Sequence, residues 1–182
     1  MVYIILGTGF EEAEAVIPCD LLRRAGVDAK LAGIGGTQVR GSHGITVQAD
    51  CAVEEMALAQ AEMIVLPGGL GGVQSIKACP AALDAVRSLY AQGRYVAAIC
   101  AAPTILAELG ITDGRNATCY PGLEEKMGSA RMHACGSVTE GKVITGRAAG
   151  TAFDFGLALV EALCGAETAK HIAAEVVYGK ED

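Results

Sequence analysis

Cys100 lies in the stretch Arg94-Tyr95-Val96-Ala97-Ala98-Ile99-Cys100-Ala101-Ala102-Pro103-Thr104. Tyr95 to Ile99 is apolar without alternation, the pattern of a parallel strand buried on both faces. From Ala102 to Gly110 apolar residues fall at helical spacing, and Pro103 suits a first helical turn, where its missing N–H costs nothing. Cys100 is thereby predicted at the joint of strand and helix. A thiol there faces free N–H groups and the positive end of a helix dipole. Such settings bring a cysteine pKa from about 8.5 into the range of roughly 3.5–7.5. A nucleophile on an abrupt strand-to-helix turn is the elbow of the α/β hydrolases, here with Cys in place of Ser. Taken alone, the stretch fits a buried cysteine in an alanine-rich core equally well.

Two further groups would complete a chemical set around Cys100. Pro67-Gly68-Gly69 follows the apolar run Met63 to Leu66. Glycines let backbone N–H groups approach a ligand closely, and a donor there would join the N–H of Ala101 in an oxyanion hole. A plain βα turn has the same composition. Glu14 falls among Ala13, Ala15 and Val16, early in a helix expected from Phe10 to about Ala25 and stopped by Gly26. To hydrogen-bond a thiolate without repulsion, Glu14 must be protonated, so burial and the thiolate should raise its pKa. It would then act as general acid and base. Glu11 and Glu12 fit better as surface acids that complement the helix dipole. The Gly7-x-Gly9 pair lacks the third glycine of a dinucleotide turn, and three carboxylates would repel a pyrophosphate.

These groups need a scaffold that brings three loops to one sheet edge. Val2 to Leu6 and Val27 to Gly33 read as strands flanking the first helix, a βαβ unit with a right-handed crossover. Thr37 to Arg40 and Thr46 to Ala49 read as a hairpin across Gly41-Ser42-His43-Gly44. Val53 to Ala61 is a weak short helix, and Pro67 to Gly72 a loop. Pro80 to Gln92, Gly150 to Cys164 and Glu167 to Tyr178 are helices. Ala117 to Tyr120 is a short strand, and Val138 to Glu140 with Val143 to Thr145 a strand pair. Strands alternating with helices predict a three-layer α/β/α sandwich around a mostly parallel sheet, a single domain over residues 1–182. In such sheets, sites form beyond the carboxyl ends of the strands.

Composition narrows the partners. The chain has 182 residues, is 52% hydrophobic and carries a net charge of −7, which argues against nucleic acid and anionic membranes. It has no Trp and few aromatics, so base-stacking platforms are not expected. Met1 to Leu6 lacks a basic start and runs into Glu11 and Glu12, unlike a signal peptide. No apolar run reaches 18 residues, so no membrane span is expected. Seven cysteines, widely spaced and without a C-x-x-C, fit reduced thiols in a cytoplasm better than a disulfide framework or zinc ribbon.

Several motifs together resemble the ThiJ/PfpI superfamily, in the branch of the parkinsonism-associated protein DJ-one. They are Gly9-Phe10-Glu11-Glu12-Ala13-Glu14-Ala15-Val16, Ile17-Pro18-Cys19-Asp20-Leu21-Leu22-Arg23-Arg24-Ala25-Gly26, Val65-Leu66-Pro67-Gly68-Gly69, Ala97-Ala98-Ile99-Cys100-Ala101-Ala102-Pro103-Thr104 and Arg147-Ala148-Ala149-Gly150-Thr151-Ala152-Phe153-Asp154-Phe155. The likeness spans nearly the whole chain. It implies a flavodoxin-like sandwich, a homodimer, an easily oxidised Cys100, a protonated Glu14, and oxyanion donors around Gly69 and Ala101, with Gly68 beside them. It implies no cofactor and no metal. The implied activities are a glyoxalase acting on methylglyoxal or glyoxal, a deglycase acting on glycated substrates, and redox-sensing or chaperone-like roles.

One position departs from the family pattern. Many members carry a histidine after the elbow helix, where this chain has Cys119-Tyr120-Pro121-Gly122. A phenol with a pKa of about 10 is a poor base at neutral pH, so Tyr120 is expected to donate to an oxyanion and Glu14 to carry the acid–base work. Cys119 is read as a strand residue, with a second redox thiol as the alternative. Arg24 matches a family position near the pocket mouth, and His43 stands where relatives often have an arginine; both are candidate substrate contacts, or else exposed polar residues. His133 is read as a surface-loop residue, His171 as structural, and Arg147 as an anchor for a loop carbonyl or a dimer partner. An amidotransferase would need a histidine and glutamate well downstream of Cys100, and related peptidases a histidine beside the elbow; neither pattern is present.

Overall fold

The apolar runs assemble into one sheet because each is buried on both faces. The computed structural model describes residues 1–179, so the last three positions of the expected domain lie outside the described residues. In chain order, β1 (Val2–Leu6) leads into α1 (Glu12–Arg24) and β2 (Ala29–Gly33). The hairpin β3 (Gln38–Arg40) and β4 (Thr46–Gln48) follows, then β5 (Cys51–Ala52), two 3-10 turns (Val53–Glu55 and Leu58–Gln60) and β6 (Met63–Leu66). Next come α2 (Leu70–Lys77), α3 (Pro80–Ala91), β7 (Tyr95–Ile99) and α4 (Pro103–Glu108). The short strands β8 (Asn116–Ala117) and β9 (Arg131–Met132) pair with each other. The chain ends with β10 (Ser137–Glu140), β11 (Val143–Gly146), α5 (Ala152–Cys164) and α6 (Ala166–Glu175).

The main sheet has seven strands in the order β10-β11-β7-β6-β1-β2-β5. Its neighbours are parallel except for the antiparallel edge pair of β10 and β11. Alternate residues of each central strand enter opposite cores. Val2, Ile4 and Leu6 of β1, with Ala97 and Ile99 of β7, pack under α1, α5 and α6. Tyr3 and Ile5, with Val96 and Ala98, pack under α2, α3 and α4. The result is a flavodoxin-like α/β/α sandwich, and its two covered faces explain why the strands read as unbroken apolar runs. Gly156 lets α5 approach α1 closely, since a methyl group there would come within 2.6 Å of Leu21.

The expected loop from Pro67 to Gly72 is instead the turn into α2. Helix propensity argues against Gly71 and Gly72, but tertiary packing decides. A methyl group on Gly72 would come within 2.7 Å of the Phe10 backbone, and one on Gly9 within 2.9 Å of Gly71. Helix and loop meet backbone to backbone, which only glycine permits. The strand expected over Ala117 to Tyr120 stops at Ala117, and the helix expected over Val53 to Ala61 is two 3-10 turns. The helix after Cys100 is only the six residues of α4. The chain passes from β1 to β2 on one side and later fills the other side with β6 and β7. That reversal opens a crevice between the carboxyl ends of β1 and β6, where α/β sheets bind ligands.

Candidate active site

Three loops meet at this crevice. The loop after β1 and the loop after β6 are joined by a hydrogen bond from the Glu11 N–H to the Gly68 carbonyl at 3.0 Å. The third is the turn after β7. Cys100 adopts φ 67°, one of two non-glycine residues with positive φ among the described residues. Holding a side-chain-bearing residue there costs on the order of 1–3 kcal/mol. Backbone bonds on both sides hold it: the Cys100 N–H donates to the Gly146 carbonyl at 3.0 Å, and its carbonyl accepts the Tyr120 N–H at 2.8 Å. The elbow expected from sequence is therefore present.

Glu14 and Cys100 converge on Gly68. A methyl group on Gly68 would lie 2.6 Å from Glu14 Oε2 and 2.7 Å from Cys100 Cβ. The Gly68 N–H donates to Glu14 Oε2 at 2.9 Å. Glu14 Oε1 is buried without a hydrogen-bond partner among the described residues. Burial drives the Glu14 carboxyl up to about 7, with a further push from Glu11, against the opposing pull of the Cys100 side chain and the Gly68 N–H. Burial supplies the rise expected of it, whereas Cys100, expected to add to that rise, works against it.

The Cys100 thiol departs from the range expected for a helix N-terminus. Burial, then the charge of Glu14 and its hydrogen bond, push the thiol up to about 12, outweighing the Ala101 and Gly69 N–H groups that favour the thiolate. The six residues of α4 supply too small a dipole to offset this burial and the neighbouring carboxylate charge. Burial raises both acids and the Glu14 charge raises the thiol further, so the pair gives up its first proton near neutral pH and holds the second well above it.

Cys100 and Ala101 open into a cavity of about 660 Å³. Glu11, Ser42 and His43 line one side, and Tyr120, Pro121 and Leu123 the other, with Leu70 at the rim. His43 and Tyr120 thus face the nucleophile's cavity. Arg24 does not line it. Its guanidinium binds Asp20 at 2.8 Å, one turn away on α1, and Glu175 on α6 at 2.6 Å. The family position near the pocket mouth is here a surface ion pair between two helices.

Glu12 was expected as a surface acid and is instead buried. Its carboxylate accepts the His43 N–H at 2.8 Å, the Ile45 N–H at 3.3 Å and the His43 imidazole Nδ1 at 3.1 Å. Burial works against the charge, but these donors prevail and hold the group down to about 2. Glu12 thereby fastens the β3–β4 tip that walls the cavity. Glu11, Glu12 and His43 bring one ligand atom each within 4.8 Å of one another, but the Glu12 oxygens are engaged by the loop. No local signal links positions 12 and 43, which are far apart in the chain.

The remaining expectations resolve simply. Cys119 lies beyond β8 rather than in it, buried in a small cluster with Ala117 and Met127, and burial pushes its thiol up to about 11. His133 is exposed and its ring meets Asn116 Oδ1 at 2.9 Å. The Arg147 side chain borders a separate 190 Å³ cleft beside Cys119. No helix among the described residues is long and apolar enough to cross a membrane.

Comparison with known proteins accords with this arrangement. The DJ-1/PfpI family model matches residues 1–162. Protein dj-1beta of Drosophila melanogaster is 36% identical over 173 residues, covering 93% of this chain and 92% of its own. Glutathione-independent glyoxalase DJR-1.2 of Caenorhabditis elegans is 32% identical over 159 residues, covering 86% and 84%. The structure of oxidized Toxoplasma gondii DJ-1 superposes with a TM-score of 0.94 at 31% identity over 98% of both chains. Sequence, sheet order and the glycine-lined crevice lead to one assignment: the chain belongs to the DJ-1/PfpI family.

Proposed function

We propose that the protein is a cofactor-free, cysteine-dependent glyoxalase that converts methylglyoxal or glyoxal to the corresponding hydroxy acid. The observation that carries this reading is the convergence of Cys100 and Glu14 on Gly68, at an elbow whose backbone is held at φ 67°. The name of the Caenorhabditis elegans relative supports it. With the shared proton on Glu14, the carboxylate charge that opposes the thiolate is gone, and the carboxyl O–H becomes a donor to Sγ.

The reaction follows from these groups. The thiolate adds to the aldehyde carbon, the C=O π pair moves onto oxygen, and Glu14 protonates it to give a hemithioacetal. The Gly69 and Ala101 N–H groups, with the Tyr120 hydroxyl, stabilise the oxyanion on the way. The Glu14 carboxylate then takes the proton from the former aldehyde carbon, leaving an enediolate with its charge on the ketone oxygen. It delivers that proton to the ketone carbon while the hydroxyl proton of the former aldehyde passes to the ketone oxygen, which leaves a C=O on the sulfur-bearing carbon. The resulting thioester is hydrolysed by water, which restores the thiol and releases the hydroxy acid. Water is the only co-reactant. The same attack suits dicarbonyl adducts on glycated substrates. The protein acts in this reading as a cytoplasmic homodimer; its unpaired thiols fit a reducing compartment, and light scattering should give twice the chain mass.

The test is methylglyoxal consumption with lactate formation, without glutathione or added metal, by wild type, Cys100→Ser and Glu14→Gln. Turnover in wild type that vanishes in both variants is the expected result. Absence of turnover in wild type would overturn the reading in favour of a redox role. There the Gly69 and Ala101 donors would hold the oxygens of an oxidised Cys100; the oxidized Toxoplasma gondii structure favours that second reading.

A further inference from the structure

The cavity above Cys100 is larger and more apolar than methylglyoxal requires. Its 660 Å³ falls within the roughly 300–1,000 Å³ of pockets that take drug-sized ligands. At about 30 Å³ per water molecule, it holds about twenty waters. Leu70, on the first turn of α2, is 73% exposed at the rim, and Tyr120 opposite is 48% exposed. Pro121 and Leu123 continue this wall. Leu70, Ala101 and Leu123 also border an adjoining cleft of 150 Å³, where Lys77 and Lys126 end the apolar wall.

The charged groups lie on the other side. Glu11 and His43 line the cavity, and the His43 imidazole is tied to Glu12 at 3.1 Å. Among the described residues no lysine or arginine lines it. A carboxylate or phosphate on the substrate would meet Glu11 with no cation to balance it, because His43 is already paired.

We infer that this cavity selects neutral α-oxoaldehydes whose substituent is an apolar group larger than methyl, seated against Leu70, Tyr120 and Leu123. The inference rests on the glyoxalase reading and deepens it. The reaction is unchanged: R–CO–CHO plus water gives R–CHOH–COO⁻ and a proton, with no oxidant or reductant, whatever R is. The gain arises from burial of R in both the ground and transition states, so it shows in kcat/KM. Each buried methylene is worth about fourfold.

The experiment measures kcat/KM for methylglyoxal, pentylglyoxal, phenylglyoxal and 4-carboxyphenylglyoxal in wild type, Leu70→Asp and Leu123→Ser. Leu70 is exposed, so its variant should fold; circular dichroism checks both variants. The expected result is a preference of about tenfold or more for pentylglyoxal and phenylglyoxal over methylglyoxal in wild type. The carboxylate should abolish that preference, and both variants should cut the phenylglyoxal-to-methylglyoxal ratio about tenfold. Comparing the ratio between proteins cancels intrinsic aldehyde reactivity. Turnover of methylglyoxal equal to or better than that of the larger aldehydes, or a ratio the variants leave alone, overturns the inference and leaves the glyoxalase reading standing. No turnover of any aldehyde overturns that reading and the inference with it.

Discussion

Replacing Glu14 by Gln should stabilise the protein at alkaline pH while removing its activity. Glu14 is fully buried, and its carboxyl is driven up to about 7 from an ordinary 4.5. Between those values the unfolded chain has released a proton that the folded state keeps. Stability therefore falls as pH rises through that window. Only the number of protons bound by the pair enters, whichever atom holds them. At 1.36 kcal/mol per pKa unit, the wild type loses about 2.5 kcal/mol between pH 5 and pH 8 through this site. Gln keeps the acceptor for the Gly68 N–H, fills the same volume and does not titrate. The stability gap between Glu14→Gln and wild type should thus shift in favour of the variant by about 2.5 kcal/mol over that range. Urea unfolding of both proteins at pH 5 and pH 8, with equal m values, measures it. A gap that moves by less than about 1 kcal/mol would refute a carboxyl held neutral by burial.

Three further outcomes follow from the same geometry. Gly68→Ala, at a position without positive φ, forces Glu14 and Cys100 apart through the 2.6 and 2.7 Å approaches. It should cost about 1–3 kcal/mol by overpacking and lower turnover at least a hundredfold, read by denaturation and methylglyoxal assay. Glu12→Gln weakens three charge-assisted contacts to the β3–β4 tip, with an expected loss of about 1–3 kcal/mol at pH 7. The wild-type Glu12 carboxyl is held below its ordinary value, so that contribution is present above about 4.5 and fades toward pH 2; urea unfolding at pH 7 and pH 3 should show the gap closing. Iodoacetamide labelling of Cys100 should stay slow through neutral pH in wild type, because burial and the Glu14 charge push the thiol up to about 12. Its midpoint should shift downward in Glu14→Ala, which removes that charge; an upward shift would refute the coupling.

The sandwich was legible in the sequence because strands buried on both faces leave unbroken apolar runs, as Tyr95 to Ile99 and Met63 to Leu66 do. The helices were legible where their stops are local, as at Gly26 and Gly93. The helix α2 was not, because its glycines answer to Phe10 and Gly9 in another loop rather than to helix propensity. Within the candidate site, Glu14 and the Cys100 elbow stood out by their apolar surroundings and by the turn between strand and helix. Glu12 did not, since its partner His43 comes from a distant hairpin. Arg24 misled because a family position carries no information about Glu175, which captures its guanidinium. The thiol misled because a helix terminus is visible in sequence, whereas the burial that raises the sulfur first, and the charge Glu14 keeps beside it, come from the assembled crevice.

Two costly local features of the chain occupy the same few ångströms. A non-glycine residue at φ 67° costs on the order of 1–3 kcal/mol, and a carboxyl raised from 4.5 to about 7 costs about 3 kcal/mol above neutrality. Against a net stability of about 5–15 kcal/mol for a domain, these are large sacrifices. Neither is relieved by a neighbour that evolution could not easily have changed: Gly in place of Cys100 would remove the strain, and Gln in place of Glu14 the buried acid. The surrounding structure instead reinforces both, with the Gly146 and Tyr120 backbone bonds pinning the elbow and Gly68 left bare so that acid and thiol can meet. Elsewhere the central strands and helices agree with their own pattern and packing. A local rule broken twice at one point, where the sheet's topology also opens its crevice, is the signature of chemistry rather than of architecture.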